Sequence, residues 1–251
     1  MESLKSLAEA IKRAKSLNVL TGAGISTLSG IPDFRGPNGV YKAEHLGMDV
    51  ESILSISFFY EHPDIFYNWA SEVWYNLENY EPNIVHKTLS LLESKGYVKN
   101  IFTQNIDSLH ERAGSKRVYP LHGSAKEGFC TVCKHQFDYD FIAKIVRAGK
   151  VPYCPCCGGL IKPDITLYGE NLNSYVLNRA IECASNSDVY MVLGSSLTVQ
   201  PAASLPLYAL ENRAKLIVVN MDSTYLDNKA YLKFADLNEV FTGLMEIAEC
   251  W

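Results

Sequence analysis

Four short apolar runs recur along the chain, and stretches of helical or irregular pattern, not hairpin turns, separate them. We predict buried strands at 17–21, 98–103, 188–193 and 215–220. One amphipathic helical pattern, over residues 1–17, leads into the first run, and another begins at Ile84 and leads into the second. Buried strands that alternate with helices are typical of an α/β fold with a parallel sheet.

Two stretches break this alternation. Residues 36–83 are rich in aromatic side chains and mostly helical in pattern, and residues 124–166 contain five of the seven cysteines. We therefore predict a Rossmann-like parallel sheet domain with a smaller lobe, which the two insertions form together. The predicted division assigns residues 1–35, 84–123 and 167–251 to the sheet domain, 36–83 to a helical insertion, and 124–166 to a zinc-binding module.

Composition narrows the class of protein. The chain has 251 residues, of which 47% are hydrophobic, and this is enough for one large core or one core plus a small module. The apolar runs are too short to span a bilayer, and the amino-terminal residues do not resemble a secretory signal, so we expect a soluble protein of the cytoplasm. A net charge of -5 offers no basic field for nucleic acid, and we expect neither nucleic-acid nor membrane binding.

Four cysteines form two Cys-x-x-Cys pairs that are separated by 20 residues: Cys130 with Cys133, and Cys154 with Cys157. This spacing is typical of a tetrahedral zinc ribbon. Cys156 is a competing ligand, but Cys157 keeps the two-residue gap, so we interpret Cys156 as a bystander. Disulfides or buried apolar cysteines are the alternative, and they are less favoured without a secretory signal. Since four thiolates leave no open position for water, the zinc should be structural and the chemistry should lie elsewhere.

The first predicted strand runs directly into a glycine turn that contains Gly22 and Gly24. Such a turn can point the free amides of a helix amino terminus at a phosphate, which suggests a nucleotide diphosphate ligand. The third glycine of the dinucleotide fingerprint is absent, because Thr27 stands in its place. Taken alone, the two glycines fit a plain tight turn equally well. The loop at 30–37 follows at once and could cover a ligand with an acid, an aromatic ring and an arginine: Asp33, Phe34 and Arg35.

Polar and small residues also follow the other predicted strands. The strand at 98–103 leads to Gln104, Asn105 and Asp107, the strand at 188–193 to 194–196, and the last strand to 220–222. Open parallel sheets bind ligands at this carboxyl edge, so we predict one shared crevice. Asn105 or Asp107 alone would more simply cap the next helix.

Several of these segments occur together in the order seen in one protein family. They are 22–26, 30–35, 103–107, the Leu-His-Gly step at 121–123, the four cysteines, Gly169-Glu170, and Gly194-Ser195-Ser196-Leu197. In these motifs the chain resembles the sirtuins, which are NAD-dependent protein-lysine deacylases, and the resemblance covers nearly the whole chain. It implies that NAD is consumed as a co-substrate and that acetylated lysines in proteins or peptides are the partners.

The resemblance also implies a mechanism. In the family scheme the acyl-lysine carbonyl oxygen attacks the ribose carbon that bears nicotinamide, and a histidine then deprotonates a ribose hydroxyl so that the sugar takes the acyl group. His122, one of six histidines, corresponds to this base. An ordinary pKa near 6.5 suits proton abstraction at neutral pH.

Further roles follow from the resemblance alone. Asp107 and Ile106 would hold the nicotinamide carboxamide, while Asn105 and Gln104 would orient ribose hydroxyls and a water; with His122, Asn105 and Asp107 form the implied catalytic set. The phosphate and ribose path would be lined by Ala23, Thr27, Phe34 and Arg35, although Arg35 could equally pair with Asp33. Residues near the adenosine half would be Ser195, Ser196, Asn220 and Asp236. The remaining implied NAD contacts are Gly22, Gly24, Asp33, Gly194, Met221 and Asp222.

The peptide substrate would add as a strand between two extended edges, 164–170 and 196–201. The implied contacts are Thr166, Tyr168, Gly169, Glu170, Leu197 and Val199. The chain departs from the common family pattern at Tyr168, at Asn173 and at Ser108, where phenylalanine, proline and glycine are frequent. We expect the serine to be harmless.

The first insertion also bears on which acyl groups the protein would remove. Sirtuins that remove acidic acyl groups carry a Tyr-x-x-Arg pair on a helix of the first insertion, and no arginine occurs at 63–70. We therefore predict a preference for acetyl and other neutral groups.

Two rival functions remain open. One is protein mono-ADP-ribosyl transfer at the same NAD site, and the other is a non-catalytic zinc-ribbon module. His122 and the two peptide edges favour deacylation.

Overall fold

The computed structural model describes residues 2–33, 44–45 and 47–251. The predictions on Phe34 and Arg35 therefore lie outside the described residues. In the described part the strands are β1 (Leu17–Thr21), β2 (Glu44–His45), β3 (Met48–Asp49), β4 (Val98–Thr103), β5 (Val118–Pro120), β6 (Gly123–Cys130), β7 (Gln136–Asp138), β8 (Ile161–Ile165), β9 (Val189–Leu193), β10 (Lys215–Val219) and β11 (Leu232–Phe234). The α-helices there are α1 (Glu2–Arg13), α2 (Val50–Ile53), α3 (Ile56–Glu61), α4 (Pro63–Val73), α5 (Ile84–Ser94), α6 (Leu109–Arg112), α7 (Tyr139–Arg147), α8 (Ser174–Ser185), α9 (Leu205–Glu211) and α10 (Leu237–Glu249).

Six strands form one parallel sheet in the order β11-β10-β9-β1-β4-β5. The predicted strands at 17–21 and 98–103 have the bounds of β1 and β4, whereas β9 and β10 are each one residue shorter than predicted. The predicted parallel α/β fold is confirmed. Because all neighbouring strands run the same way, their carboxyl ends meet at one edge.

The sheet is buried on both faces. Every residue of β1 and β9 is buried, which matches their continuous apolar runs. Side chains alternate along β1, so Val19 joins the core cluster that α1, α5 and α10 cover, while Leu20 joins the cluster under α8 and α9.

A second apolar core belongs to the smaller lobe. It combines Phe59 and Phe66 of the helical segment with Ile142 of α7 and Ile161 of β8. The rings of Phe59 and Phe66 pack edge to face, with centroids 4.9 Å apart. Strands β7, β6 and β8 form an antiparallel sheet that carries the cysteines. A sheet domain with a smaller lobe is thus confirmed.

Within the described ranges, each helix is too short or too polar to traverse a bilayer.

Two histidines lie in the core beneath the carboxyl edge of the sheet. His86 of α5 and His110 of α6 are fully buried, and their ring centroids are 4.9 Å apart. A ring nitrogen of His110 contacts the Thr21 hydroxyl at 3.0 Å. Burial lowers the pKa of His86 to about 4 and holds the pKa of His110 well below its usual range. Both rings are therefore neutral in the folded protein at neutral pH.

These buried rings should make the protein sensitive to mild acid. Below the ordinary histidine pKa of about 6.5, the unfolded chain binds protons that the folded chain does not, so the free energy of unfolding falls as the pH falls. The slope should be up to ~1.4 kcal/mol per pH unit for each histidine between about pH 6 and pH 5. Urea denaturation measures this slope, and a His86→Gln variant should show a slope that is shallower by one histidine. Equal slopes for the two proteins would contradict the buried neutral pair.

Candidate active site

A cavity with a volume of ≈ 310 Å³ lies at the carboxyl edge of the parallel sheet, between the sheet domain and the smaller lobe. Segments that follow five different strands of this sheet reach its wall. The predicted residues on this wall are Gly22, Ala23, Gly24, Asp33, Gln104, Asn105, Ile106, His122, Gly194, Ser195, Ser196, Asn220 and Asp222. The structure thus brings together segments that are far apart in the chain.

The opposite part of the wall comes from the two predicted peptide edges. Five of the six predicted substrate residues line it: Thr166, Tyr168, Gly169, Glu170 and Val199. Leu197 is buried behind the wall with only 4% of its surface exposed.

Seven other wall residues were not named as ligand contacts. Ile165, Leu167, Thr198 and Gln200 lie within the two predicted peptide edges, whereas Leu54, Trp74 and Leu172 lie outside them. Leu54 and Trp74 come from the helical segment, where both also belong to the lobe core. Their apolar pattern predicts burial but gives no signal that they face a cavity, because the packing of the two lobes decides that.

Four of the described residues that were predicted to contact NAD lie off the wall. The hydroxyl of Thr27 donates to the Gly24 carbonyl of its own turn at 2.9 Å. Met221 is 68% exposed, and the Asp236 carboxylate caps α10 by accepting the Glu239 amide at 2.9 Å. Asp107 is buried beneath the wall. Ligand roles for these residues stay predictions.

The glycine turn has a structural role, as the tight-turn alternative predicted, and its phosphate role stays a prediction. The Gly22 amide donates to the Leu193 carbonyl and the Gly24 amide to the Gly194 carbonyl, each at 2.9 Å. A β-carbon on Gly24 would lie 2.8 Å from the Gly194 α-carbon. The turn then continues as a 3-10 helix, Ala23–Ser29, not as an α-helix. These glycines therefore allow the turns after β1 and β9 to interlock.

Ser26 joins Asp107 and Asn105 beneath the wall. Its hydroxyl donates to the Asp107 carboxylate at 2.6 Å and accepts from the Asn105 amide at 3.1 Å. The Asn105 amide also donates to the Gly22 carbonyl at 3.1 Å. Burial raises the pKa of Asp107, although the Ser26 hydrogen bond opposes this. Sequence reasoning gave no role to Ser26, whose position within the glycine motif was the available signal.

Asp107 also binds the start of the next helix, in line with the alternative that it is a helix cap. Its second carboxylate oxygen accepts the Leu109 amide at 2.9 Å, at the start of α6. Ser108, between them, has a φ of 61°, in the left-handed region. This conformation costs an L-residue ~1 kcal/mol, so the serine is not as neutral a replacement for glycine as expected.

His122 has a defined tautomer. Its Nδ1 lies 3.0 Å from the Gln104 carbonyl oxygen. Since a carbonyl oxygen only accepts, Nδ1 carries the proton and Nε2 keeps its lone pair. Burial lowers the pKa of His122, and the Gln104 carbonyl partly offsets this. The ring is therefore an available base at neutral pH. Its backbone is fixed too, because the His122 carbonyl accepts the Thr166 amide at 2.8 Å.

The four predicted zinc ligands converge in the smaller lobe. Their sulfur atoms all lie within 4.8 Å of one another. The Cys130 and Cys157 sulfurs are 3.4 Å apart, and those of Cys133 and Cys154 are 3.7 Å apart. Four sulfurs at ~2.3 Å from one zinc ion would be ~3.8 Å apart in a tetrahedron, so the cluster fits the ion. Cys156 is exposed and outside this cluster.

The chain is similar to known proteins over nearly its whole length. A family model described as the Sir2 family matches residues 22–201. The NAD-dependent protein deacetylase of Thermotoga maritima is 42% identical over 244 residues, which are 97% of each chain. That of Clostridium tetani is 41% identical over 249 residues, or 98% of each chain.

Solved structures give the same result. A Sir2 variant with a deacetylated p53 peptide and 3'-O-acetyl-ADP-ribose superposes with a TM-score of 0.92 and 41% identity, over 98% of both chains. A Sir2 complex with a p53 peptide and NAD+ has a TM-score of 0.90 and 40% identity, over 99% of both chains.

Exchange of Gly194 for alanine should test the interlocked turns. Gly194 has a φ of 59°, and an added β-carbon would lie 2.4 Å from the Ile25 amide nitrogen. Gly149 is the matched control, with a φ of 70° and no atom within 4 Å of such a carbon. Gly149→Ala should lower the free energy of unfolding by ~1 kcal/mol, and Gly194→Ala by a further ~1–3 kcal/mol because of the overlap. Equal losses in urea denaturation would refute the close approach.

Proposed function

The chain belongs to the Sir2 family of NAD-dependent protein deacetylases, and from this premise we propose that its cavity removes acetyl and other uncharged acyl groups from protein lysines. The products would be nicotinamide, acetylated ADP-ribose and free lysine. One observation carries the proposal: on the cavity wall, the Gln104 carbonyl holds the proton of His122 on Nδ1 and leaves Nε2 as a base.

NAD supplies, when bound, the ADP-ribosyl group that accepts the acyl group. The chemistry of the wall suits such a molecule, since backbone of the glycine turn, amides and hydroxyls face one space. Ala23 and Gly24 would lie along the phosphates, Gln104 and Asn105 along the ribose, and Ser195, Ser196 and Asn220 along the adenosine half. Asp107 would act near the nicotinamide from beneath the wall.

His122 would take a proton from a ribose hydroxyl at Nε2. Because burial lowers its pKa, the ring is unprotonated at neutral pH before the reaction. Once Nε2 is protonated, the positive ring donates a stronger hydrogen bond to the Gln104 carbonyl, which stabilises the charged form. The same carbonyl therefore sets the tautomer and supports the product of proton transfer.

The acyl-lysine would lie in the apolar part of the cavity. Leu54 and Trp74 from the smaller lobe line the same cavity as Ile165 and Leu167 of the peptide edge. An aliphatic lysine chain with a neutral acyl group would bury apolar surface there. Comparable peptides appear in related solved structures, one of them with a propionylated peptide.

The charges on the wall argue against acidic acyl groups. Among the described residues that line the cavity, three are acidic, namely Asp33, Glu170 and Asp222, and none is lysine or arginine. Tyr67, the tyrosine of the segment that lacks the Tyr-x-x-Arg pair, is buried: its hydroxyl donates to the Ile161 carbonyl at 2.5 Å inside the lobe core. A succinyl carboxylate would thus have no cationic partner in this described wall.

We also propose that the sheet domain comprises residues 1–35, 84–123 and 167–251. The remaining segments, 36–83 and 124–166, would form the smaller lobe, since residues of both pack in one apolar core. The zinc ion would be structural, because the four thiolates fill a tetrahedral shell. The cytoplasm stays the compartment that the composition predicts.

One assay separates the candidate functions. The protein with NAD and an acetyl-lysine peptide should yield the free peptide and an acetylated ADP-ribose, both detected by mass spectrometry. His122→Ala should lower kcat/KM by about a hundredfold or more while the circular dichroism spectrum stays unchanged. The matched succinyl peptide should react more slowly than the acetyl peptide.

Each rival has its own outcome. ADP-ribosylated protein without acetylated ADP-ribose would favour mono-ADP-ribosyl transfer, and a failure to consume NAD would favour a non-catalytic zinc module. Faster removal of succinyl than of acetyl would contradict the proposed acyl preference.

A further inference from the structure

A buried lysine lies directly behind the peptide edge of the cavity. Lys162, on β8, is only 3% exposed and does not line the cavity. Its ammonium group donates to the Ile165 carbonyl at 2.6 Å and forms an ion pair with the Glu170 carboxylate at 2.9 Å. The lysine therefore reaches both ends of the segment 165–170, all of which lines the cavity.

Glu170 also binds the backbone of Leu167, within the same segment. The carboxylate oxygen that meets Lys162 also accepts the Leu167 amide at 2.9 Å. The Glu170 amide donates in turn to the Leu167 carbonyl at 3.0 Å. The segment is thus closed by a single charged contact, in which the Lys162 side chain is 4% exposed and the Glu170 side chain 28% exposed.

Segment 165–170 also forms backbone hydrogen bonds with two other parts of the chain. The Thr166 amide holds the His122 carbonyl at 2.8 Å, and the Tyr168 amide donates to the Leu54 carbonyl at 2.9 Å. A shift of the segment would therefore alter the wall between the base and the helical segment. NAD-side residues such as Ser195 and Asn220 follow other strands. The Ser195 hydroxyl accepts a hydrogen bond from Gln104, and the Asn220 side chain donates to the Asp222 carbonyl, so neither bond involves Lys162 or Glu170.

We propose that Lys162 is a positioning residue, which holds segment 165–170 in the shape that binds the acyl-lysine peptide. This inference rests on the proposed deacylase function. A buried charge whose partners are backbone carbonyls and a carboxylate leaves those groups unpaired when it is removed. Loss of the lysine should then loosen the peptide edge more than the NAD side of the cavity.

The test compares Lys162→Met with wild type. The KM for an acetyl-lysine peptide should rise about tenfold, equivalent to ~1.4 kcal/mol, while the KM for NAD should change by less than about twofold. The Leu167 amide should also exchange with deuterium faster, because it loses a fixed acceptor. Lys162→Arg, which keeps the charge, should recover most of the peptide affinity.

A second ion pair supplies the matched control. Lys126 and Glu111 are 3.3 Å apart, but their side chains are 53% and 34% exposed. Lys126→Met should therefore leave both KM values and the Leu167 exchange rate within about twofold of wild type.

Two results would overturn the positioning role: an unchanged peptide KM in Lys162→Met, or an equal rise in both KM values together with a general loss of amide protection. Deuterium exchange needs no turnover. If wild type removes no acetyl group, the proposed function fails, while exchange at Leu167 still decides whether Lys162 fixes the segment.

Discussion

The cavity depends on the close approach of two backbone turns at the carboxyl edge of the sheet. The amides of Gly22 and Gly24 donate to the carbonyls of Leu193 and Gly194, at a separation that leaves no room for a β-carbon. Other groups are placed by this contact. Asn105 donates to the Gly22 carbonyl, and Gln104 donates to the Ser195 hydroxyl at 2.8 Å, so the turn after β4 is fixed against both glycine turns. His122 is then held through the Gln104 carbonyl. The base is thus positioned by a short series of hydrogen bonds that begins at the glycine turns.

The peptide side of the cavity is organised around the same histidine. Its carbonyl accepts the Thr166 amide, and the next residues bind the helical segment through Tyr168. Two lobes with separate cores therefore meet at backbone hydrogen bonds around one cavity. This arrangement explains why a structural zinc site can matter for activity without touching the reaction: the zinc lobe includes β8, which leads directly into the peptide edge.

Local patterns in the sequence predicted the features that local physics determines. The apolar runs of β1 and β4 and the spacing of the cysteines predicted both strands and the ligand cluster, because burial and metal geometry act over a few neighbouring residues. The resemblance to sirtuins directed attention to His122, but only the Gln104 carbonyl defines its tautomer. Trp74 and Lys162 could not be predicted as parts of the site, since an apolar or charged residue acquires that position through contacts that are distant in the chain. The glycines of the first turn were noted for a ligand role, which stays a prediction, while the packing of this turn against the turn after β9 became visible only in the structure.

The central claim is that His122, a partly buried histidine whose Nδ1 proton is held by the Gln104 carbonyl, is the base at Nε2. The most direct measurement is the single-turnover rate of acetylated ADP-ribose formation from about pH 5 to 9, with nicotinamide release followed separately. Because burial lowers the pKa of His122 below 6.5, the rate should be constant above that pH and should fall tenfold per unit well below the lowered pKa. A rate that continues to rise between about pH 7 and 9 would mean that a group with a higher pKa supplies the base, and would contradict the account.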